Sequence, residues 1–550
     1  MLAVLRESRL LSMAAVIAAV FAVVALPGCR TTRQDVERWM GTVNGPRKLV
    51  AVVTHAKYGL DLRVDAAMAL VQMKPRNGQH VGLQGGEDTD QPGLLKALSG
   101  LAPAVRTRIV SGMVPRLVEG MGQPAPEPGQ PDATIRFKDA AFALLTYEDG
   151  ALLSQEADRA ALRAALADWV VADFVQRLEN PMQAYGMEQV LRELGTQGVR
   201  RLPDLIKPDE AKLGQMVSLI ADLGDQETKD RASAQLVRVA QYVNTEKWKE
   251  QKAPAVKEAN EASRLTPTPD QFRRQLDQYQ EEELLRVFAS MKRVGGAAVV
   301  KYLIDFAQDA RCPGGDKDPR QRQSCTKRRA AAVAALEGRI DKANPKHVKA
   351  MLALSSDPST PDSIRDLALR RVGEMPRELV IKDLYAMFET DNWRVRWVAA
   401  ELVLKMSTTQ QLGEFMRHLA KAKNMAITEA IRYGNLIDKM KGPPAPREVA
   451  EKYASLRYPV EARVAALGYF HEYGTKKDLP FVQQYAGDPV PVPVCGDGPE
   501  AQGCEWRCAV GSGNTQQLKD VMNVGDYVRD CVEPAMERRS ERAASKEPSK

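Results

Sequence analysis

The stretch "DNWRVRWVAAELVLKM" (Asp391–Met406) decides the fold, because most of it returns elsewhere in the chain. Its last twelve residues, "VRWVAAELVLKM" (395–406), share a template with "LRVDAAMALVQM" (62–73), "IRDLALRRVGEM" (364–375) and "ARVAALGYFHEY" (462–473). Arginine stands second in each (Arg63, Arg365, Arg396, Arg463) and alanine fifth (Ala66, Ala368, Ala399, Ala466). Leu70, Val372, Val403 or Phe470 follows, and each copy closes on Met73, Met375, Met406 or Tyr473. "KDRASAQLVRV" (229–239) fits with lysine for arginine, and "RRAAAVAALEG" (328–338) fits more loosely from Arg329.

The template arginines at 329, 365, 396 and 463 lie 36, 31 and 67 residues apart, the last gap being about two units, with room for a degenerate copy near 430–440. A period of 31 to 36 residues with two helices per unit is the pattern of a stacked helical array. A fixed alanine lets neighbouring helices approach closely, while the larger apolar residue after it fills the seam. The alternative is an all-helical fold whose alanine-rich helices are alike by chance.

The surroundings agree with helices. In "LADWVVADFVQRL" (166–178), Leu166, Val170, Phe174 and Leu178 step by four along one face, with Arg163, Asp173 and Arg177 off it. Gly and Pro gather between such segments, as in "GLQGGEDTDQPG" (82–93) and "QPAPEPGQPD" (123–132), which read as loops. "EKWKEQKAPAVKEANEASR" (246–264) mixes both charge signs and reads as an exposed helix. With 6% aromatics, the core must come mainly from Leu, Val, Ala and Met. A chain of 550 residues is too long for one compact core.

On these residues the chain resembles HEAT-like repeats, in particular the short bacterial kind. The resemblance covers about 210–485, with an outlying copy at 47–73, and fades between 75 and 210. It implies an all-α, helical-repeat α-solenoid with a protein-binding surface rather than a fixed chemistry.

The other informative stretch is near the start. Arg6 and Arg9 precede "LLSMAAVIAAVFAVVAL" (10–26), whose only polar residue is Ser12, and "LPGC" (26–29) ends it. A charged start, an apolar run and a small residue before the break have the form of an export signal. "LPGC" resembles the lipobox of bacterial lipoproteins, with proline at −2 less usual there than alanine or serine. The resemblance implies cleavage before Cys29 and acylation (palmitate among the chains) of its sulfur and amine. Each buried methylene contributes about 0.8 kcal/mol, so one chain holds marginally and two or more anchor stably. Arg30 stands where an aspartate commonly marks inner-membrane retention, which favours the outer membrane. An uncleaved transmembrane anchor is the competing reading.

Removal of residues 1–28 leaves 522 residues and a formal charge of +6. With 27% charged residues of both signs interspersed, the body does not suit a nucleic-acid binder, whose cations concentrate in a stripe. Apart from Cys29 there are six cysteines, Cys312, Cys325, Cys495, Cys504, Cys508 and Cys531. An even set in an exported chain reads as disulfides. Cys312 and Cys325 bracket a loop that a local bridge would close, and the last four allow three pairings. "CEWRC" (504–508) is not a C-x-x-C knuckle and has no histidine nearby, which argues against zinc and redox catalysis.

The organisation expected is therefore signal peptide 1–28, tether 29–45, helical region 46–210 with one repeat, repeats 211–485, a Cys-rich cap 486–536 and a disordered tail 537–550. No catalytic residues, metal or cofactor are expected. His55, His80, His347, His418 and His471 are scattered, and His471-Glu472 is the only His-Glu dipeptide, too little for the di-iron sites of some HEAT-like enzymes. "GDKD" (315–318) lacks the ligands of a calcium loop. Candidate binding features are Trp393 and Trp397, four apart on one helix face, and the cations Arg320, Arg322, Lys327, Arg328 and Arg329 around Cys325.

The expected function is a lipid-anchored, non-catalytic scaffold for other envelope proteins, held to the membrane through Cys29, on the periplasmic face or the cell surface. The alternatives are an enzyme without a recognisable motif, or a structural component binding anionic lipid or polymer.

Overall fold

The computed structural model describes residues 31–75, 80–86, 91–124, 130–172, 174, 184–310, 318–342, 344–419, 421, 433–492, 507–510 and 517–544. Cys29, Cys312, Cys495 and Cys504 lie outside them, as do residues 315–317 of the acidic turn. The described chain is mostly helical and divides into two units, residues 1–206 with 210–232, and residues 207–209 with 233–550. Among the described residues no helix is long and apolar enough to cross a membrane.

In the first unit the template helix Leu60–Gln72 pairs with Gly45–Thr54 and packs on the long helix Pro103–Met121. The contact is close because Gly112 has no side chain. A Cβ there would stand 2.8 Å from Val64 Cγ2, so alanine would push the two helices apart. Two corrections to the sequence reading fall in this unit. The 82–93 segment holds a short antiparallel bridge, Gly85–Gly86 with Gln91–Pro92, rather than loop alone. The helix expected through Leu178 ends at Val171, where Ala172 turns extended. Leu166, Val170 and the again helical Phe174 are all buried, so the four-residue spacing holds in burial across the break, while Leu178 lies outside the described residues.

The second unit contains four template pairs: Ala297–Gln308 with Pro319–Ala335, Pro345–Ser356 with Asp362–Val372, Arg377–Ala386 with Trp393–Met406, and Pro446–Ala454 with Val460–Tyr473. In the first three, first helices contact first helices of adjacent pairs and second helices contact second helices. Ala332, Ala368, Ala399 and Ala466 are completely buried where these helices meet, as is Ala66 in the first unit.

The recurring arginine has a job that the sequence did not show. Arg63 Nε donates to the Val53 carbonyl at 2.7 Å, Arg329 Nε to Ala307 at 2.8 Å, and Arg463 Nε to Ala454 at 3.4 Å. Each acceptor lies in the last turn of the pair's first helix. Arg365 and Arg396 reach the loop just past that end, donating to Thr360 and Thr390 carbonyls at 2.7 Å each. The last carbonyls of a helix have no partner within it and carry partial negative charge. A guanidinium from the second helix supplies donors there, and its own burial (2–7% exposed) is offset in part by those bonds, the Nε of Arg365 and of Arg396 staying buried without a partner. One residue thus ties the second helix to the end of the first, or to the turn that follows it, in every pair.

Beyond the last pair, the strands Arg507–Val510 and Gln517–Asp520 form an antiparallel hairpin. Cys508 is bonded to Cys531, which tethers that hairpin to the helical segment that follows. This segment and the helix Glu533–Ala544 pack on Val460–Tyr473, burying Tyr527, Val528 and Met536 beside Phe470. Part of the tail expected to be disordered from Glu537 is therefore helical. Its polar composition hid one anchor: Arg539 donates to the His471 and Gly474 carbonyls, again closing a helix end.

Candidate binding cleft

An open cleft of about 1200 Å³ lies in the second unit between the helices Glu246–Ala262, Pro269–Val294 and Pro319–Ala335. Each helix has a reason to start where it does. Thr245 caps the first by accepting from Trp248 N, Thr268 and Gln271 form a capping box on the second, and Asp318 caps the third by accepting from Arg320 N. The helix 246–262, expected to be exposed, buries one side through Trp248 and Val256 and turns Glu246, Lys249, Glu250 and Ala253 to the cleft.

Six carboxylates and five cations line the cleft, with no imidazole or thiol, so its chemistry is charge pairing. Several pairs are already made. Lys249 donates to Asp277 at 2.6 Å and to Glu246 at 2.9 Å. Burial opposes the Lys249 charge, but the bonds to Asp277 and Glu246 outweigh it and raise the ammonium above its ordinary range. Glu281 accepts from Ser324 and Lys327. Arg328 is less well served. It is 8% exposed, and burial pulls it below its usual range against the attraction of Glu281 and Asp277. Its one hydrogen bond runs from Nη1 to Asn244 Oδ1 at 3.3 Å, and its Nε is buried without a partner.

The basic patch expected around Cys325 is therefore not one surface. Arg320 and Arg322 are exposed, and Lys327 is tied to Glu281. Arg328 and Arg329 point inward, because each residue turns about 100° around a helix and these two follow Lys327 onto its packed side. Cys325 is disulfide-bonded, with a partner outside the described residues. Trp397 stacks on Tyr433 with ring centres 5.3 Å apart and planes at 12°, and Tyr433 meets Phe415 edge-on. Trp397 is half-buried against the fully buried Tyr433 and Phe415, so its ring is spent on packing. The Trp393 side chain lies outside the described ones. Among the described residues no cluster of three or more His, Cys, Asp or Glu is placed to hold a metal.

A second polar centre, in the first unit, escaped the sequence reading. Lys138 and Asp139 are fully buried and paired at 2.6 Å, with His80 Nε2 3.6 Å from the same carboxylate. Asp139 accepts from Ala184 N at 2.9 Å and Tyr185 N at 3.3 Å, while Lys138 donates to the Tyr185 carbonyl at 2.5 Å and lies over the Trp169 ring. Burial pulls the Lys138 ammonium below its usual range, against Asp139. The pair grips both backbone groups of one turn, which is a structural task. The only signal was an adjacent Lys-Asp inside "FKDAAFALL" (137–145). Lys138→Met leaves Asp139 without its cation and is expected to lower the stability of this unit by about 2 kcal/mol in urea titrations. An unchanged midpoint would show that the clamp carries no weight.

Comparison with protein-family models finds no match to this chain, and comparison with curated proteins finds none either.

Proposed function

We propose that this chain is a lipid-anchored protein of a bacterial cell envelope, acting as an α-solenoid scaffold on which other envelope proteins assemble. The observation that carries the scaffold reading is the repeated use of one device: a buried arginine bonded to backbone carbonyls in the last turn of the preceding helix (Arg63, Arg329, Arg463) or in the loop just after it (Arg365, Arg396). Three successive pairs between 297 and 406 pack first helix on first and second on second, which is how a repeat array buries its apolar faces against its neighbours. Such a stack leaves an extended surface for partners and needs a cover at its end. The disulfide-tethered segment packed on Val460–Tyr473 supports that role for the C-terminal region.

The anchor half of the proposal rests on "LPGC" (26–29), with Cys29 as the acylated residue and the outer membrane as the destination. Radioactive palmitate fed to cells expressing the chain should label it and leave it in the envelope fraction. Cys29→Ala should abolish both the label and the shift to a shorter mature mass. Labelling that survives in Cys29→Ala would remove the lipoprotein reading. Crosslinking followed by immunoprecipitation addresses the scaffold half, and recovery of no stoichiometric partner would count against it.

A further inference from the structure

We infer that the cleft between the helices Glu246–Ala262, Pro269–Val294 and Pro319–Ala335 takes a peptide segment of a partner protein, and that Arg328 on its lining holds an acidic side chain of that peptide. The inference rests on the scaffold reading and names the surface and chemistry by which a partner would be held. The decisive observation is an incomplete guanidinium that lines the cleft, whereas the equally unpartnered Nε groups of Arg365 and Arg396 belong to side chains with short backbone bonds. Arginine carries five N–H donors in a planar fork, yet Arg328, nine-tenths buried, makes a single hydrogen bond at 3.3 Å and leaves Nε unpartnered. A buried, poorly satisfied cation is costly. A carboxylate entering the cleft would accept from the terminal Nη groups, since Nε is itself shielded, and a charge-assisted bond to arginine is among the stronger kinds.

The nearest carboxylates of the chain itself do not fill this role. Asp277 is engaged by Lys249, and Glu281 by Ser324 and Lys327. The same lining selects the class of ligand. Its six carboxylates interspersed with five cations match a ligand of mixed charge better than a uniform polyanion such as nucleic acid or an anionic membrane face. A polypeptide can bring one acid to Arg328 while offering cations or amides to the rest. Phe272 and Leu276, also in the lining, supply an apolar strip for a neighbouring side chain.

The test is selection from a random dodecapeptide display on the purified full-length chain, followed by titration of synthetic peptides made from the winners. Selected peptides should share an acidic residue at one position, and its replacement by the amide should weaken binding tenfold or more. Arg328→Lys keeps the charge but loses the fork and should weaken binding about tenfold. Arg320→Glu, on the exposed rim, should weaken it severalfold without altering the melting curve, which covers the case in which position 328 does not tolerate change. Winners without a shared acid, or binding indifferent to both substitutions, would overturn the inference. So would displacement of the peptide by vesicles rich in anionic phospholipid. A partner recovered equally well by crosslinking from Arg328→Lys and Arg320→Glu cells would leave the scaffold standing and remove the cleft from it.

Discussion

Arg463→Met is expected to cost about 3–5 kcal/mol, the largest loss of any single substitution considered for this chain. Arg463 differs from the other template arginines in having a buried acid beside its carbonyl. Its Nε caps Ala454, and its Nη2 pairs with Asp488, both side chains being almost fully shielded from water. Methionine keeps much of the volume but strands the Asp488 charge in the interior and leaves the Ala454 carbonyl without its donor. The double variant Arg463→Met, Asp488→Leu should recover most of the loss, because an apolar pair of similar volume often replaces a buried ion pair at little cost. It should fall short of the parent by about 1 kcal/mol, since Asp488 Oδ1 also accepts from Val490 N at 3.0 Å. Urea titration of the three proteins measures both values. A single variant as stable as the parent would show that the ion pair is dispensable.

Removing the Cys508–Cys531 bond is expected to cost about 3 kcal/mol, chiefly by releasing a loop that the bond closes in the unfolded chain. The two cysteines are 23 residues apart, and they join a four-residue hairpin strand to the segment that carries Tyr527 and Val528. A two-stranded hairpin is marginal by itself in water, so this one depends on its tether. Cys508→Ala with Cys531→Ala avoids burying a hydroxyl at Cys531, which is 3% exposed. Its stability, compared with the parent in urea, gives the effect directly. A change below about 1 kcal/mol would mean that the segment holds its place by packing on Val460–Tyr473 alone.

The repeat was legible because it obeys a period. Arg63, Arg365, Arg396 and Arg463, the alanines three residues later and the apolar residues beyond them all proved buried, as recurrence at fixed spacing implied. What the arginine does was not legible, since its acceptors are backbone carbonyls, which any residue provides. The end of the helix Glu156–Val171 was missed because nothing in "WVVADFV" (169–175) is a strong helix breaker. The cleft depends on three helices from separate stretches, and its sign pattern cannot be read from any one of them. Arg328 was noticed as a charge but placed on the wrong side, because a run of Lys327, Arg328 and Arg329 does not say which of the three turns inward. The Lys138–Asp139 clamp left only a charged dipeptide in an apolar run.

Hydrogen exchange read by mass spectrometry on Arg463→Met tests most directly whether these pairs form a stack held by neighbour contacts. In such a stack a lesion spreads to the units it touches and fades beyond them. Protection should fall over 446–473 and over the segments packed on it, 412–419 and 524–544, while 345–372 keeps the parent's rates. Loss of protection spread evenly from 233 to 544 would show one cooperative core, and would contradict the account.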